Sequence, residues 1–348
     1  MSTDISSSLS LGAAPQAQLV TFALFAYNQE KFIREAVEGA FAQTYEPLEI
    51  ILSDDCSTDR TFEIMQEMAS AYRGPHRVRA VQTPRNLGVV QHVLLRGREA
   101  SGDIVVVAAG DDISLPERVA RHVPCYADPK VWAVSTGFTL VDEYGNVVSA
   151  NETIPVGVRL VKKWPTYIKK PSVVIQGSTA SYHKNVFQLI NPTGRISFAE
   201  DNLLNFVIYA SGSVVTFIHD PLIIYRSHAN ALGNLPRTSR DWRAEELKSA
   251  RQIDAGIEKI QFFLEFTRSR GLEAVVDVPA LQENLAALQD RKAWPRMSIG
   301  ARTLSLLRDI LRGNISSLKW KMVRLWGDFP DYWPKRSLAP YQRKYRSR

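Results

Sequence analysis

Ile104-Val105-Val106-Val107-Ala108-Ala109-Gly110-Asp111-Asp112 decides the fold. A short, uninterrupted apolar run that ends in glycine and two acids reads as a strand buried on both faces, the kind found in parallel sheets. An earlier stretch has the same form, Ile50-Ile51-Leu52-Ser53 running into Asp54-Asp55. Two such strands side by side deliver both acidic pairs to one edge of the sheet, and that edge is where open α/β sheets bind ligands. Carboxylates crowded there repel one another unless a cation, a hydrogen-bonding ligand or a protonated state relieves them. A divalent metal carrying a diphosphate is the economical relief.

Outward from these runs, strand and helix alternate. Leu19 to Tyr27 reads as a first strand, Asn28-Gln29-Glu30 as a turn and cap, and Phe32, Ile33, Ala36, Val37, Ala40 and Phe41 as one face of a helix. Leu48 to Leu52 is the second strand, and Ser57-Thr58-Asp59 caps a helix through Phe62, Ile64, Met65 and Met68. Val78 to Gln82 and a helix over Val89 to Ala100 lead to the Ile104 strand. This alternation predicts a parallel sheet with right-handed crossovers.

After Asp112 the alternation stops. Pro116 to Tyr126 reads as a short helix and Val131 to Val141 as a strand, an antiparallel extension suited to a second substrate. Gly177 to Tyr182 reads as a β segment, Phe198 to Asn202 as an acidic loop before a helix over Leu203 to Ala210, and Val214 to Ile218 and Leu222 to Tyr225 as two strands. From about Asp241 to about Trp326 the pattern is helical. The expected organisation is a disordered leader over 1–17, an α/β domain over 18–235 and a basic, mainly helical region over 236–348.

Composition sets limits. The 348 residues are 45% hydrophobic and 23% charged, an ordinary globular balance, and no apolar stretch reaches the roughly 18 residues of a membrane span. Cys56 and Cys125 form neither a disulfide framework nor a metal-ligand spacing, which points to a reducing compartment, the cytoplasm. The net charge is +7, and the basic excess lies beyond residue 235. Such asymmetry calls for an anionic partner. Between 297 and 348, apolar positions at helical spacing alternate with Arg302, Arg308, Arg312, Lys319, Lys321 and Arg324, near Trp294, Trp320, Trp326 and Trp333. A helix of this kind either lies on an anionic membrane, at its cytoplasmic face, or packs on the domain with a solvated basic side. Without a recognisable module, nucleic acid is not expected as a partner.

Phe25-Ala26-Tyr27-Asn28-Gln29-Glu30, Gln43-Thr44-Tyr45, Ser53-Asp54-Asp55-Cys56-Ser57-Thr58-Asp59, Arg85-Asn86-Leu87-Gly88 and Gly110-Asp111-Asp112 together resemble the family 2 glycosyltransferases. Those are inverting enzymes of the nucleotide-sugar-binding GT-A fold, and the resemblance covers about residues 18–230. It implies that Ala26, Tyr27, Glu30 and Asp55 hold the nucleoside of a nucleotide-diphosphate sugar. It further implies that Asp111 and Asp112 hold the ribose and a Mg²⁺ or Mn²⁺ ion. Many members carry one more Asp two places before that pair, where this chain has Ala109. Asp201, beside Glu200, matches the family's base, and inversion needs one carboxylate to deprotonate the acceptor hydroxyl. Ile224-Tyr225-Arg226-Ser227-His228 resembles the family's basic segment, with Arg226 or His228 reaching the diphosphate or metal. Asn86 would approach the nucleotide, and Gly177 and Glu200 the acceptor, a glycan or lipid-linked sugar.

Each residue also has a plainer explanation. Asp111-Asp112 and Asp201 can cap helices, and Asp54-Asp55 can close a turn. Asn86 can serve a tight turn, and His228 can be an ordinary surface or core histidine. Two rival functions follow, a non-catalytic carbohydrate-binding or scaffold relative and a sugar nucleotidyltransferase. The second would want a basic, glycine-rich loop where Ala26-Tyr27-Asn28-Gln29 stands.

Overall fold

The structure is a computed structural model and describes residues 18–152, 175–191, 196–228, 242–294, 297 and 299–311. The leader 1–17, the basic positions from Arg312 onward, and Trp320, Trp326 and Trp333 lie outside them.

The first half follows the sequence closely. β1 (Val20–Ala26), α1 (Ile33–Phe41), β2 (Leu48–Asp54), α2 (Thr61–Ala71), β3 (Arg77–Gln82), α3 (Val89–Glu99) and β4 (Ile104–Ala109) alternate without interruption. The strands pair in parallel in the order β3-β2-β1-β4, with Ala26 level with Asp54 and Phe25 level with Ala109. Every residue of β1 and β2 is buried, as a strand covered on both faces requires. On one face Phe22, Leu24, Ile50, Leu52 and Val106 form a core with Ile33 and Val37 of α1 and Met65 of α2. Burying each such side chain stabilises the fold by roughly 1.5–3 kcal/mol.

The second half is a mixed sheet. β5 (Ile113–Ser114) is followed by α4 (Arg118–His122), a 3-10 turn (Val123–Ala127), β6 (Val131–Val141) and β7 (Val147–Glu152). After a 3-10 turn (Gly177–Thr179) come β8 (Ala180–His183), α5 (Asn185–Leu189), α6 (Glu200–Ala210) and β9 (Val214–Arg226). β8 lies antiparallel between β4 and β6, so one nine-stranded sheet runs β3-β2-β1-β4-β8-β6-β9-β5, with β7 on β6.

Three details differ from expectation. Gly177 to Thr179 is a 3-10 turn because the Thr179 amide and hydroxyl both donate to Gln176 O, at 3.1 and 2.9 Å. Glu200 and Asp201 form the first turn of α6 rather than a loop before it, where acidic side chains favour the helix dipole. β9 is one strand, not two. Its register shifts so that Ile218 pairs Thr136 and Pro221 pairs Gly137, which accommodates a residue with no amide hydrogen.

The chain divides into two compact units, through Glu283 and from Asn284. The first includes α7 (Trp242–Arg270), and α8 (Val278–Ala293) begins within it. In the second, α9 (Ile299–Leu311) is tied to the end of α8 by Ser305 Oγ donating to Asp290 at 3.0 Å and Arg302 Nε donating to Trp294 O at 3.2 Å. No described helix is long and apolar enough to cross a membrane.

Candidate functional site

At the carboxyl edge of the parallel strands the backbones are stitched across. Gly110 N donates to Phe25 O at 2.8 Å, Asp55 N to Ala26 O at 2.9 Å and Thr83 N to Asp54 O at 2.9 Å. The two acids of the first pair then diverge in role. Asp54 turns inward, accepting from Ser57 N at 2.8 Å, from the Ser57 hydroxyl and from Gln82 Nε2 at 2.9 Å. Asp55 gathers the loop after β3, accepting from Thr83 Oγ1 at 3.0 Å, Leu87 N at 2.9 Å and Gly88 N at 2.8 Å. Asn86 Nδ2 donates to Asp55 O at 3.3 Å. Gly88 takes φ 80°, which L side chains rarely adopt, and so brings its amide round to the carboxylate.

Beneath this pair, Arg96 Nε donates to Ser53 Oγ at 2.9 Å, and His92 Nε2 lies 2.6 Å from the same hydroxyl. Burial depresses His92 to about 4, so the ring is neutral beside Asp54 and Asp55.

The loop after β1 zips onto the loop after β2. Asn28, at φ 52°, accepts from Thr58 N at 2.8 Å while its own amide donates to Ser57 Oγ at 2.8 Å. Glu30 N donates to Asp59 at 3.1 Å, and the Glu30 carboxylate accepts from Arg60 N at 3.1 Å. Glu30 thus fastens the loop, and the Tyr27 side chain is left 46% exposed beside it. Gly110 is glycine because a Cβ there would come within 2.6 Å of Gln29 Oε1 and 2.8 Å of Ala26 Cβ.

The second acidic pair meets the end of β9. Arg226 N donates to Asp112 Oδ1 at 3.0 Å, and His228 Nε2 lies 3.0 Å from Asp111 Oδ2. The Arg226 guanidinium donates to the Glu35 carboxylate, to Asp111 O at 3.2 Å and to Glu143 O at 3.4 Å. Phe32 packs against both groups, its ring 4.7 Å from that of His228 and 5.0 Å from the guanidinium carbon. Asp112 is pushed up to about 7, by burial first and then by Asp111, with the Arg226 amide, Ser178 and Arg118 pulling it back. Arg118 is fully buried and donates to Ser114 Oγ at 2.9 Å, Val107 O at 2.8 Å, Ser178 O at 2.9 Å and Ala180 O at 3.1 Å. It joins the end of β4 to the turn that opens β8.

That turn faces α6. Glu200 Oε1 occupies the space where a Cβ on Gly177 would stand. Glu200 is raised to about 7 by burial and by the neighbouring Asp201, and Asp201 is itself raised chiefly by burial. Asn202 Nδ2 donates to Asp201 Oδ1 at 2.8 Å. Tyr225 spans the two acidic centres, its hydroxyl pushed up to about 12 by burial and by the charges of Asp112, Asp111 and Glu200.

The family model described as glycosyl transferase family 2 matches residues 21–185. Those residues carry the β1 to β8 part of the sheet and are similar to that family. EpsE of Bacillus subtilis is 32% identical over 120 residues, 34% of this chain and 42% of that protein. Chondroitin synthase of Escherichia coli is 31% identical over 139 residues, 40% of this chain and 20% of that protein. The chain therefore spans less than half the length of either relative. Staphylococcus aureus TarS 1-349, solved in complex with UDP-GlcNAc, superposes with a TM-score of 0.52 at 18% identity over 90% of this chain and 93% of that one. The shared architecture is the GT-A fold.

The expected site residues gather in three groups along the carboxyl edge of the sheet. Ala26, Tyr27, Glu30, Asp55 and Asn86 form the first, Asp111, Asp112, Arg226 and His228 the second, and Gly177, Glu200 and Asp201 the third. Among the described residues no group of three or more His, Cys, Asp or Glu is placed to hold a metal ion. Two oxygen or nitrogen donors such as Asp112 and His228 would suit only a hard ion that keeps waters and takes phosphate oxygens from its ligand, as Mg²⁺ does. Phe32, Glu35, Arg118 and Tyr225 were not picked out from the sequence. Of these, Tyr225 stands within the Ile224-Tyr225-Arg226-Ser227-His228 segment, and Phe32, at the N-cap of α1, stands on the expected helix face.

Proposed function

We propose that this chain is an inverting, metal-dependent glycosyltransferase. It moves a sugar from a nucleoside-diphosphate donor to a hydroxyl of a glycan or lipid-linked acceptor. The observation that carries the proposal is the approach of carboxylates from distant parts of the chain: Asp112 accepts from the Arg226 amide at 3.0 Å, Arg118 joins that edge to Ser178 O at 2.9 Å, and Glu200 lies against Gly177, the residue before Ser178.

Asp201 takes the proton of the acceptor hydroxyl while that oxygen attacks the anomeric carbon, and the bond to the diphosphate breaks on the opposite face. A base whose burial raises its proton affinity toward neutrality suits that role. Glu200, lodged against Gly177, orients the acceptor. On the donor side, the Tyr27 ring and the loop gathered by Asp55 and Asn86 receive the nucleoside, and Asp111 the ribose. Asp112 and His228 would hold Mn²⁺ or Mg²⁺, which supplies charge neutralisation to the departing diphosphate. The Arg226 amide and guanidinium keep that edge in place.

The acceptor class draws on the relatives, one of which is named as a chondroitin synthase. The cytoplasmic face of a membrane fits a lipid-linked acceptor. On α9, Leu304, Leu307, Ile310 and Leu311 are exposed next to Arg302 and Arg308, a face suited to anionic lipid. Replacing Leu307 and Ile310 by Glu should then abolish sedimentation with anionic vesicles.

The deciding experiment is a screen of nucleotide sugars for thermal stabilisation with and without Mn²⁺, followed by NMR of the product's anomeric configuration. A stabilising donor and an inverted product are expected. A donor bound but never transferred to any glycan would instead fit the scaffold alternative.

A further inference from the structure

Glu258 and Lys259 are adjacent on α7, and each reaches to one side of the Glu200-Asp201 turn. Ser197 N donates to Glu258 Oε1 at 3.1 Å, and the Ser197 hydroxyl donates to the same carboxylate. Lys259 Nζ donates to Asn202 Oδ1 at 3.4 Å, and Asn202 Nδ2 donates onward to Asp201 Oδ1 at 2.8 Å. An amide whose oxygen is engaged by an ammonium is a stronger donor through its nitrogen, so the two bonds reinforce each other.

The reach of Lys259 follows from how the helices pack. Phe206 of α6 stacks on Phe263 of α7 with ring centroids 3.8 Å apart and 7° between planes, and Phe198 meets Phe263 edge-on at 6.2 Å. Asn202 and Lys259 each stand four residues before a member of the stacked pair. One turn back along both helices therefore brings them together. α7 cannot slide without breaking the aromatic stack.

On the reading of Asp201 as the base, we propose that Glu258 and Lys259 are positioning residues that fix the orientation and charge of Asp201 from a helix outside the family match. The charged and titratable groups around Asp201 are Glu200 on α6, Tyr182 on β8 and Lys259 on α7, while the Glu258 carboxylate is taken up by Ser197. Of these, Lys259 is the cation that favours the ionised base, and burial lowers its own proton affinity in return.

The test uses the full chain with Lys259→Met, Lys259→Gln, Lys259→Arg, Glu258→Gln and Asp201→Asn, measuring kcat, donor KM and the pH profile of kcat/KM. Removing the cation makes Asp201 hold its proton more tightly, so the acidic limb moves to higher pH. Lys259→Met and Lys259→Gln should lower kcat by about tenfold with donor KM within about twofold, and raise the limb by about half a unit. Lys259→Arg should restore the limb, and Glu258→Gln should lower kcat without moving it. A wild-type limb and kcat in whichever of the two neutral variants folds would overturn the positioning role. Near-normal turnover by Asp201→Asn would instead remove the base assignment beneath it.

Discussion

His228 Nε2 lies 3.0 Å from Asp111 Oδ2, although 117 positions separate them in the chain. Phe32 backs the imidazole, and the contact closes the end of β9 onto the end of β4. His228→Ala should weaken nucleoside-diphosphate binding in the presence of Mn²⁺ by about tenfold, as losing a ligand or its support commonly does. Calorimetry with and without the metal checks it, and an unchanged affinity would separate His228 from the donor.

Asp201→Asn keeps the size of the side chain and its bond to Asn202 but removes the base. Transfer should fall by about 10²–10⁴-fold while donor affinity stays near wild type. A coupled assay for released nucleotide and a binding titration, run together, test both halves.

The Glu200 carboxyl, raised by burial and by Asp201 to about 7 from its ordinary 4.5, binds its proton more tightly in the folded chain than in the unfolded one. Between those values the folded state holds the extra proton, so stability declines as pH rises through the window. Urea unfolding of wild type and Glu200→Gln at intervals from pH 5 to 8 should show the decline in wild type and a flatter course in the variant. Parallel courses would mean that Glu200 ionises freely in the folded protein.

Gly177→Ala places a methyl group where Glu200 Oε1 now sits. The carboxylate must swing away, so kcat should drop severalfold while the melting temperature moves little, because the far end of a side chain yields more readily than backbone. Steady-state kinetics beside a thermal melt separates this from general destabilisation.

Arg118→Met removes a buried guanidinium that satisfies the carbonyls of Val107, Ser178 and Ala180. Leaving buried polar groups unpaired should cost about 3–5 kcal/mol, and donor binding should weaken with it because Asp112 loses a neighbouring cation. Chemical unfolding measures the first effect and titration with nucleotide the second. A loss below about 1 kcal/mol would show the carbonyls finding other partners.

The parallel half of the fold was legible because its signals are local. Ile50 to Ser53 and Ile104 to Gly110 are uniform apolar runs, and the residues that close them, Asp54-Asp55 and Asp111-Asp112, follow directly in sequence. What bends that half into a site was not local. The Phe32 and Arg226 contact, the Arg118 hydrogen bonds to Ser178 and Ala180, and the clasp of Lys259 on Asn202 all join segments far apart in the chain. The start of α6 was misread because Glu200 and Asp201 look like loop acids until their place in a first helical turn is known. β9 was split for a similar reason, since Pro221 signals a break that the register shift opposite Gly137 accommodates.

The family match stops at residue 185, whereas α6 and β9 both lie beyond it. A chimera that exchanged only the matched stretch between relatives would inherit Asp55 and Asp112 from one parent and Asp201, Arg226 and His228 from the other. The Asp112 contact with the Arg226 amide would survive that graft, since any residue but proline supplies the hydrogen. The Glu35 pairing with the Arg226 side chain would depend on both parents, which makes position 35 the first to match when such hybrids are built.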